Sequence, residues 1–315
     1  MTVPFKTPGA PSCHAHDMST PPLERARAFL LTHARLLERR LAELWLGTPT
    51  PATAYAVLDA LAAYRNPDGG LGHALEPDAR GPESQPLAVD FALEAVEQVL
   101  DSPTGADPAV RARVAEFAAS LVPYLESVAA PSGGLPIVLP SIAAYPRASH
   151  WGDGRFLPGL NPTAGIVTRL RRAGAKGAWL DAADDFCRAE IDQLTDLDGH
   201  SALNVLHFLA HAPDQDWAAG HRAEIGGRLG DLPHFHLHPG EGYGLTPLDL
   251  APLPEDPLRE LVPADAIAAH LTALAGAQQP DGGWPVSWEP PGPASLLEWR
   301  GVVTLKAARV LAANP

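Results

Sequence analysis

The segment from His73 to Pro86 is dense in residues that can exchange protons or hold a polar ligand. It connects two stretches of helical periodicity and is longer than a helical hairpin requires. Imidazoles and carboxylates are the usual general acids and bases of enzymes, and a guanidinium orients polar groups. We expect this loop to lie over one end of a central cavity, with a surface loop held by its own ion pairs as the alternative. Its catalytic candidates are His73, Glu76 and Asp78, and its ligand-binding candidates are Arg80 and Glu83.

A second candidate region lies near the end of the chain, where tryptophans surround a turn and enter the helix that follows it. Indole rings can line an apolar pocket or stabilise a cationic intermediate through their π faces. As core residues they need no such role, and the core is the expected place for Trp284. Glu298 and Arg300 stand out as charges in an otherwise apolar helix. The ligand-binding candidates here are Trp284, Trp288, Glu298, Trp299 and Arg300.

Two further polar residues are Asn161, which precedes Pro162 at a predicted helix start, and Asp249 in the segment TPLDLAP. Both are typical of helix-capping positions, which is the default interpretation. The alternative is that they are polar groups facing a ligand, so both are kept as binding candidates.

Three histidines alternate in the segment LPHFHLHPGEGYG, at positions 234, 236 and 238. In an extended strand, alternation places His234, His236 and His238 on one face, where imidazoles can bind zinc or nickel. The nearest carboxylates are Asp231 and Glu241, and no cysteine completes the set. A solvated loop is the favoured interpretation, so no metal and no cofactor are expected.

Apolar residues recur at helical spacing in ten segments, and glycine turns separate many of them. Four of these turns are almost evenly spaced: Asp68–Gly70, Ser132–Gly134, Asp198–Gly199 and Asp281–Gly283. The last interval is longer because it contains a Pro/Gly/His-rich insertion, 231–263. Such spacing is typical of stacked helical hairpins. Several helices are apolar on nearly every side and must lie between other helices, which favours a closed α/α toroid of about five hairpins over an open superhelix. The predicted helices are 23–46, 51–65, 86–101, 107–130, 162–174, 178–194, 200–212, 214–229, 264–278 and 294–313.

Composition narrows the class of protein. Hydrophobic residues make up 46%, enough for a substantial core, and the net charge of −14 leaves no basic stripe for a nucleic acid. No apolar run is long enough to predict a membrane span, and two cysteines are too few for a disulfide framework. We expect a cytoplasmic protein with a disordered leader, 1–20, and a single domain, 21–315.

The sequence QPDGGWPVSW, followed by SLLEWRGVVTLKAARVL, resembles the glycine–tryptophan repeat of squalene/terpene cyclases and protein prenyltransferase β subunits. YRNPDGGLGHAL is a degenerate copy of the same repeat. Over residues 22–313 the chain is similar to an actinobacterial group of prenyltransferase-like toroid proteins. The segments that carry this similarity are NPDGGLGHALEPDARGPESQP, LPSIAAYPRA, LNPTAGI and TPLDLAP. The resemblance implies an α/α toroid and is weaker evidence for function.

The resemblance also implies specific chemistry. The motif Asp-x-Asp-Asp of class II terpene cyclases corresponds here to Asp196-Leu197-Asp198-Gly199-His200. By this resemblance Asp198 is the candidate acid and His200 its hydrogen-bond partner. Gly199 and His200 depart from that motif, and a helix cap is the alternative. A prenyltransferase zinc site would need Asp185, Cys187 and a distant histidine, His207 or His270, but a buried structural cysteine is favoured.

The expected function is therefore an enzyme that binds an apolar, isoprenoid ligand in a central cavity and starts a cyclisation or isomerisation by protonation. Two alternatives remain open: a non-catalytic ligand-binding or scaffold toroid, and a toroid hydrolase or lyase acting on a glycan or peptide. A mostly apolar cavity with one inward-pointing acid would favour the cyclase. A polar groove with paired carboxylates would favour the glycan enzyme, and a filled centre would favour the scaffold.

Overall fold

A computed structural model describes residues 21–315, so the predicted leader lies outside the described residues. The described chain is all-helical and contains no β-strand. Its α-helices are α1 (Pro22–His33), α2 (Leu36–Leu46), α3 (Pro51–Ala62), α4 (Pro86–Asp101), α5 (Pro108–Ala119), α6 (Val122–Val128), α7 (Leu160–Arg172), α8 (Ala178–Asp192), α9 (Gly199–His211), α10 (Gln215–Arg228), α11 (Pro247–Leu250), α12 (Ala264–Gly276) and α13 (Pro293–Ala313). The all-α prediction is confirmed.

Most predicted helices agree with the structure to within a few residues, but two predicted helices are each divided in two. The predicted 23–46 helix breaks at Ala34, whose backbone is extended. The break lets Arg35 donate hydrogen bonds to the carbonyl oxygens of Ala74 and Leu75, at 3.1 and 2.8 Å. The predicted 107–130 helix divides between α5 and α6, and the short helix α11 was not predicted.

From α2 to α10, the helices that line a large cavity are separated along the chain by helices that pack against them, whereas α11, α12 and α13 follow one another and all line it. Lining residues come from α2, α4, α7, α9, α11, α12 and α13. Their packing partners include α3 against α2, α8 against α7, and α10 against α9. Within the described chain these three partners contribute no residue to the lining. The main cluster of buried apolar side chains extends from Leu30 to Val310.

Three of the four glycine turns share one conformation. Gly69, Gly133 and Gly282 have φ values of 85°, 91° and 89°, which glycine adopts without steric cost. In each turn the residue three before this glycine bonds through its N–H to the carbonyl of the residue after it. The next apolar residue, Leu71, Leu135 or Trp284, is buried, as expected for Trp284. A Cβ on Gly133 would come within 2.6 Å of the Ala182 carbonyl oxygen, so this turn must also be glycine to pack against α8.

The fourth predicted turn is different. Gly199 is the first residue of α9, and the Asp198 carboxylate accepts a hydrogen bond from the Ser201 N–H at 2.9 Å. Asp198 is therefore a helix cap rather than part of a repeat turn, because the chain enters the helix directly at this point.

A search of the described helices for one long and apolar enough to cross a lipid bilayer finds none.

Candidate functional site

The central cavity has a volume of about 1440 Å³. Its lining combines aromatic and aliphatic side chains with many carboxylates and several imidazoles. Small-molecule sites are usually smaller, so this cavity has room for an extended ligand. The cavity is therefore not filled by side chains, and its lining is not uniformly apolar.

Two acids of the 73–86 loop reach this cavity. Glu76 and Asp78 both line it, and both are buried, at 5% and 4% exposure. The loop is anchored by the two hydrogen bonds from Arg35 and by the buried side chain of Leu75. The chain turns at His73 and Ala74, which both have positive φ. The expectation that this loop supplies polar groups at the cavity therefore agrees with the position of its acids.

Of these two acids, Glu76 has no side-chain hydrogen-bond donor among the described residues, whereas Asp78 has two. The backbone amides of Asp78 and Ala79 donate to its carboxylate, but its Oε2 is buried with no hydrogen-bond partner among the described residues. Burial raises the pKa of Glu76 to about 8, and the negative charge of Asp78 adds to this effect. The carboxyl group is therefore protonated at neutral pH and can donate a proton.

Asp78 is held by two donors from α13. Its Oδ1 accepts hydrogen bonds from Trp299 Nε1 at 2.8 Å and from Ser295 Oγ at 3.2 Å. Its carbonyl oxygen accepts from the Ala148 N–H at 2.9 Å. These contacts fix the second carboxylate beside the protonated Glu76.

Four aromatic rings continue from this pair along the cavity. Phe91 contacts Trp299 with ring centroids 6.0 Å apart, Trp299 contacts Trp288 at 4.9 Å, and Trp288 contacts Tyr243 at 5.5 Å. Each pair meets edge to face, and all four residues line the cavity. We call this end of the cavity the acid chamber, defined by Glu76, Asp78, Phe91, Trp299, Trp288 and Tyr243.

The predicted pair Asp198 and His200 lies on the cavity lining beyond Tyr243. His200 Nε2 is 2.8 Å from the Tyr243 hydroxyl, and the two rings are stacked. Burial lowers the pKa of His200. Asn161 also lines the cavity, and its Oδ1 accepts a hydrogen bond from Asn204 Nδ2 at 3.2 Å.

Asp249 lines the cavity but has several partners. It forms an ion pair with Lys306 and accepts hydrogen bonds from the Thr246 amide and hydroxyl, both at 2.7 Å. Burial raises the pKa of Asp249, but Lys306 and Thr246 outweigh burial, so the pKa is lower than usual. The expected capping role of Asp249 agrees with these bonds.

The remaining candidates of the 73–86 loop are engaged outside the chamber. His73 is exposed and bonds through Nε2 to Asn66 Oδ1 at 2.9 Å. Arg80 pairs with Glu298 and joins the loop to α13. Glu83 accepts a hydrogen bond from the Tyr145 hydroxyl at 3.1 Å. These contacts hold the loop in place.

Two candidates of the last turn also have structural partners. Arg300 bonds to the Gln279 side chain at 2.7 Å and to Asp281 at 2.8 Å, and its guanidinium lies over the ring of Phe29. Trp284 is buried, as expected, and its Nε1 donates to the Leu274 carbonyl at 2.8 Å. Of the last turn and its helix, Trp288 and Trp299 thus contribute to the acid chamber.

An ion-pair network that we had not predicted lies on another part of the cavity lining. Arg169 bonds to Asp90 at 2.6 Å and to Glu97 at 3.2 Å, while Arg172 pairs with Glu97 and Asp101. Burial raises the pKa of Glu97, but these guanidinium groups outweigh it and lower the pKa to about 2. The 4-3-4 spacing of acids on α4 was the available signal. We call this region the ion-pair floor; it consists of Asp90, Glu94, Glu97, Asp101, Arg169 and Arg172.

Metal binding receives no support from the described residues, among which no group of three or more metal-ligating side chains is close enough to hold an ion. His234 and His236 line the cavity, and His238 is exposed. Cys187 is fully buried on α8, and burial raises the pKa of its thiol.

Comparison of the chain with models of known protein families, and with curated proteins, finds no match. Any function must therefore be argued from the geometry of the cavity.

Proposed function

We propose that the protein is an enzyme with an α/α-toroid fold in which Glu76 is the general acid, acting on a ligand bound in the central cavity. The alternation of cavity-lining and outer helices from α2 to α10 supports the toroid. The observation that carries the enzymatic proposal is the buried carboxyl group of Glu76, which lines the cavity and has an oxygen free of partners. Burying a polar atom without a hydrogen-bond partner destabilises the folded protein, and such groups are concentrated at functional sites.

A glycan is the substrate class that this cavity fits best. The chamber places a second carboxylate, Asp78, next to the acid, and pairs of carboxylates in different environments are typical of glycoside hydrolysis. Aromatic rings such as Trp288 and Trp299 offer apolar faces to sugar rings, while the charged lining suits hydroxyl groups. The cavity volume admits several sugar units.

The proposed reaction is hydrolysis. Glu76 donates its proton to the bridging oxygen as the bond from that oxygen to the sugar carbon breaks. The hydroxyl of a water molecule bonds to that carbon, and the water's proton passes to the second carboxylate, for which Asp78 is the candidate. The two carboxyl groups end with their protonation states exchanged, and solvent restores them.

The aromatic rings favour a second candidate, the isoprenoid cyclisation implied by the family resemblance. Glu76 would protonate an alkene or epoxide, and the rings of Phe91, Trp299 and Trp288 would stabilise the resulting carbocation. This proposal keeps acid initiation but assigns it to Glu76, since Asp198 caps α9. The many carboxylates of the lining are better suited to a polar ligand.

The test is a substrate screen with the wild type, Glu76→Gln and a matched control, Glu94→Gln. Glu94 also lines the cavity, but its side chain is 48% exposed and pairs with Arg169. Oligosaccharides and isoprenoids are incubated with each protein, and products are measured by mass spectrometry. We expect Glu76→Gln to lose about 10²–10⁴-fold in rate with an unchanged circular dichroism spectrum, and Glu94→Gln to retain activity.

Turnover that persists in Glu76→Gln would contradict the assignment of the acid. Wild-type protein that binds ligands from either class but converts none would favour the non-catalytic alternative.

A further inference from the structure

The lining of the cavity carries a strong excess of negative charge. Four cationic side chains line it, Arg169, Arg172, Lys306 and Arg309, against twelve carboxylic acids, of which Glu76 is protonated and Glu38 pairs with Arg35. Within the described part of the chain, each of these cations already faces a carboxylate within 4.0 Å. The acids are Glu38, Glu76, Asp78, Asp90, Glu94, Glu97, Asp101, Asp198, Asp249, Glu255, Asp256 and Glu289. The lining therefore has no unengaged cation with which to bind a phosphate or a carboxylate of a ligand.

The aromatic rings add a second feature that attracts positive charge. The series Phe91, Trp299, Trp288 and Tyr243 meets edge to face, so ring faces remain uncovered by their neighbours within the series. The face of an indole or phenol ring attracts a cation, and rings combined with carboxylates recognise ammonium groups. The carboxylate of Asp78 lies beside this series, where its Oδ1 accepts a hydrogen bond from Trp299, the second ring.

At the end of the series, Tyr243 lies near several of these carboxylates. Its side chain is 39% exposed, so this end of the chamber is accessible to water and to a ligand. Burial raises the pKa of Tyr243 to about 12, and the negative charges of Asp249, Asp78 and Asp198 contribute further. A positively charged ligand group placed here would be stabilised by all three carboxylates.

From the aromatic series and the unbalanced carboxylates of the cavity, we infer that the acid chamber selects a ligand carrying an ammonium group, namely an amino sugar with free amines. This inference rests on the proposed glycan function and specifies its substrate class. An anionic sugar or a prenyl diphosphate is disfavoured, because each would place like charges together in a partly desolvated cavity. The ammonium group binds at the Trp288–Tyr243 end, and the sugar chain extends toward Glu76.

The inference is tested by binding three tetrasaccharides that differ in charge: glucosamine with free amines, N-acetylglucosamine, and galacturonic acid. Isothermal titration calorimetry with the wild-type protein should give about tenfold tighter binding of the free-amine oligomer than of the acetylated one, and no detectable binding of the uronate. Raising the salt concentration should reduce the preference. In Trp288→Leu the preference should fall severalfold, and in Glu126→Gln, whose exposed side chain lies outside the cavity lining, it should persist.

The same titration in Glu76→Gln separates this inference from the proposed function. Amine-selective binding that persists while turnover is lost supports both. Equal affinity for the three oligomers, or absence of binding, would overturn the ammonium selectivity, even if turnover of another glycan leaves Glu76 as the acid. Amine-selective binding without turnover by the wild type would overturn the enzymatic proposal and leave the selectivity intact.

Discussion

The acid chamber and the ion-pair floor are two parts of one cavity that differ in the partners of their buried carboxylates. In the floor, Arg169 and Arg172 pair with the carboxylates around them; the pKa of Glu97 falls to about 2, whereas burial outweighs Arg169 at Asp90 and raises its pKa to about 7. In the chamber, Glu76 has an unpartnered oxygen, and its pKa rises to about 8. A raised pKa alone therefore does not distinguish the two regions; the free oxygen of Glu76 does, because the Asp90 carboxylate is held by a guanidinium group.

Helices α4 and α13 contact each other at two levels of the cavity. Phe91 of α4 meets Trp299 of α13 in the chamber, and nearer the C-terminal end of each helix Asp101 faces Arg309 at 4.0 Å. These helices therefore run in the same direction along the cavity. Their N-terminal ends, which carry partial positive charge, lie at the end that holds the uncompensated acids.

The largest expected effect comes from breaking the floor. Arg169→Met leaves Asp90 and Glu97 without their main partner, and removing one partner of a buried ion pair costs about 3–5 kcal/mol. Urea denaturation measures the loss. Arg113→Met is the control, because its pair with Asp59 is exposed and should cost at most about 1 kcal/mol. Equal losses in the two variants would show that the floor is not a buried network.

The pH dependence of stability should have opposite signs for Glu76 and Glu97. Glu76 has a raised pKa, so its contribution is fully present below its ordinary pKa of 4.5 and is lost as the pH rises through about 8. Glu97 has a lowered pKa, so its contribution is present above 4.5 and is lost as the pH falls through about 2. The effect is on the order of 5 kcal/mol for Glu76 and on the order of 3 kcal/mol for Glu97.

Substitutions of Glu76 and Glu97 test which residue causes the loss of stability at each end of the pH range. Thermal melts from pH 2 to 9 should show a flattened alkaline limb in Glu76→Gln and a flattened acid limb in Glu97→Gln. A profile that Glu76→Gln leaves unchanged would mean that this carboxyl is ionised in the folded protein.

A smaller effect is expected from Trp299→Phe, which keeps an aromatic ring but removes the donor to Asp78. Loss of a hydrogen bond to a carboxylate corresponds to about 1.5 kcal/mol, or roughly tenfold in rate. We expect kcat to fall by this factor while KM changes less, because the ring still contacts the ligand. If KM alone changes, Trp299 contributes to binding rather than to positioning Asp78.

The smallest effect should come from Arg300→Lys, which tests whether a charged residue of α13 outside both regions is structural. Arg300 holds the last glycine turn through Gln279 and Asp281, and lysine cannot reproduce this forked geometry. The free energy of unfolding should fall by about 1 kcal/mol with activity unchanged. A loss of activity at unchanged stability would instead indicate that Arg300 binds the ligand, which is the role considered for it from the sequence.

The helices and three of the glycine turns could be predicted because their causes are local. Apolar periodicity indicates a helix within one segment, and a turn such as Asp281–Gly283 needs only an acceptor side chain and a residue that tolerates positive φ. The break at Ala34 escaped prediction, because the gain from it is the contact of Arg35 with a distant loop.

The all-helical class and the concentration of ionisable groups at residues 73–86 can be read from the sequence. Which of these groups have a hydrogen-bond or ion-pair partner depends on the tertiary structure. His73 bonds to Asn66 at the surface and Arg80 pairs with Glu298, while Glu76 is buried at the cavity with a free oxygen. Protonation depends on burial and on charges from distant segments, and the order of residues along a chain does not specify either one.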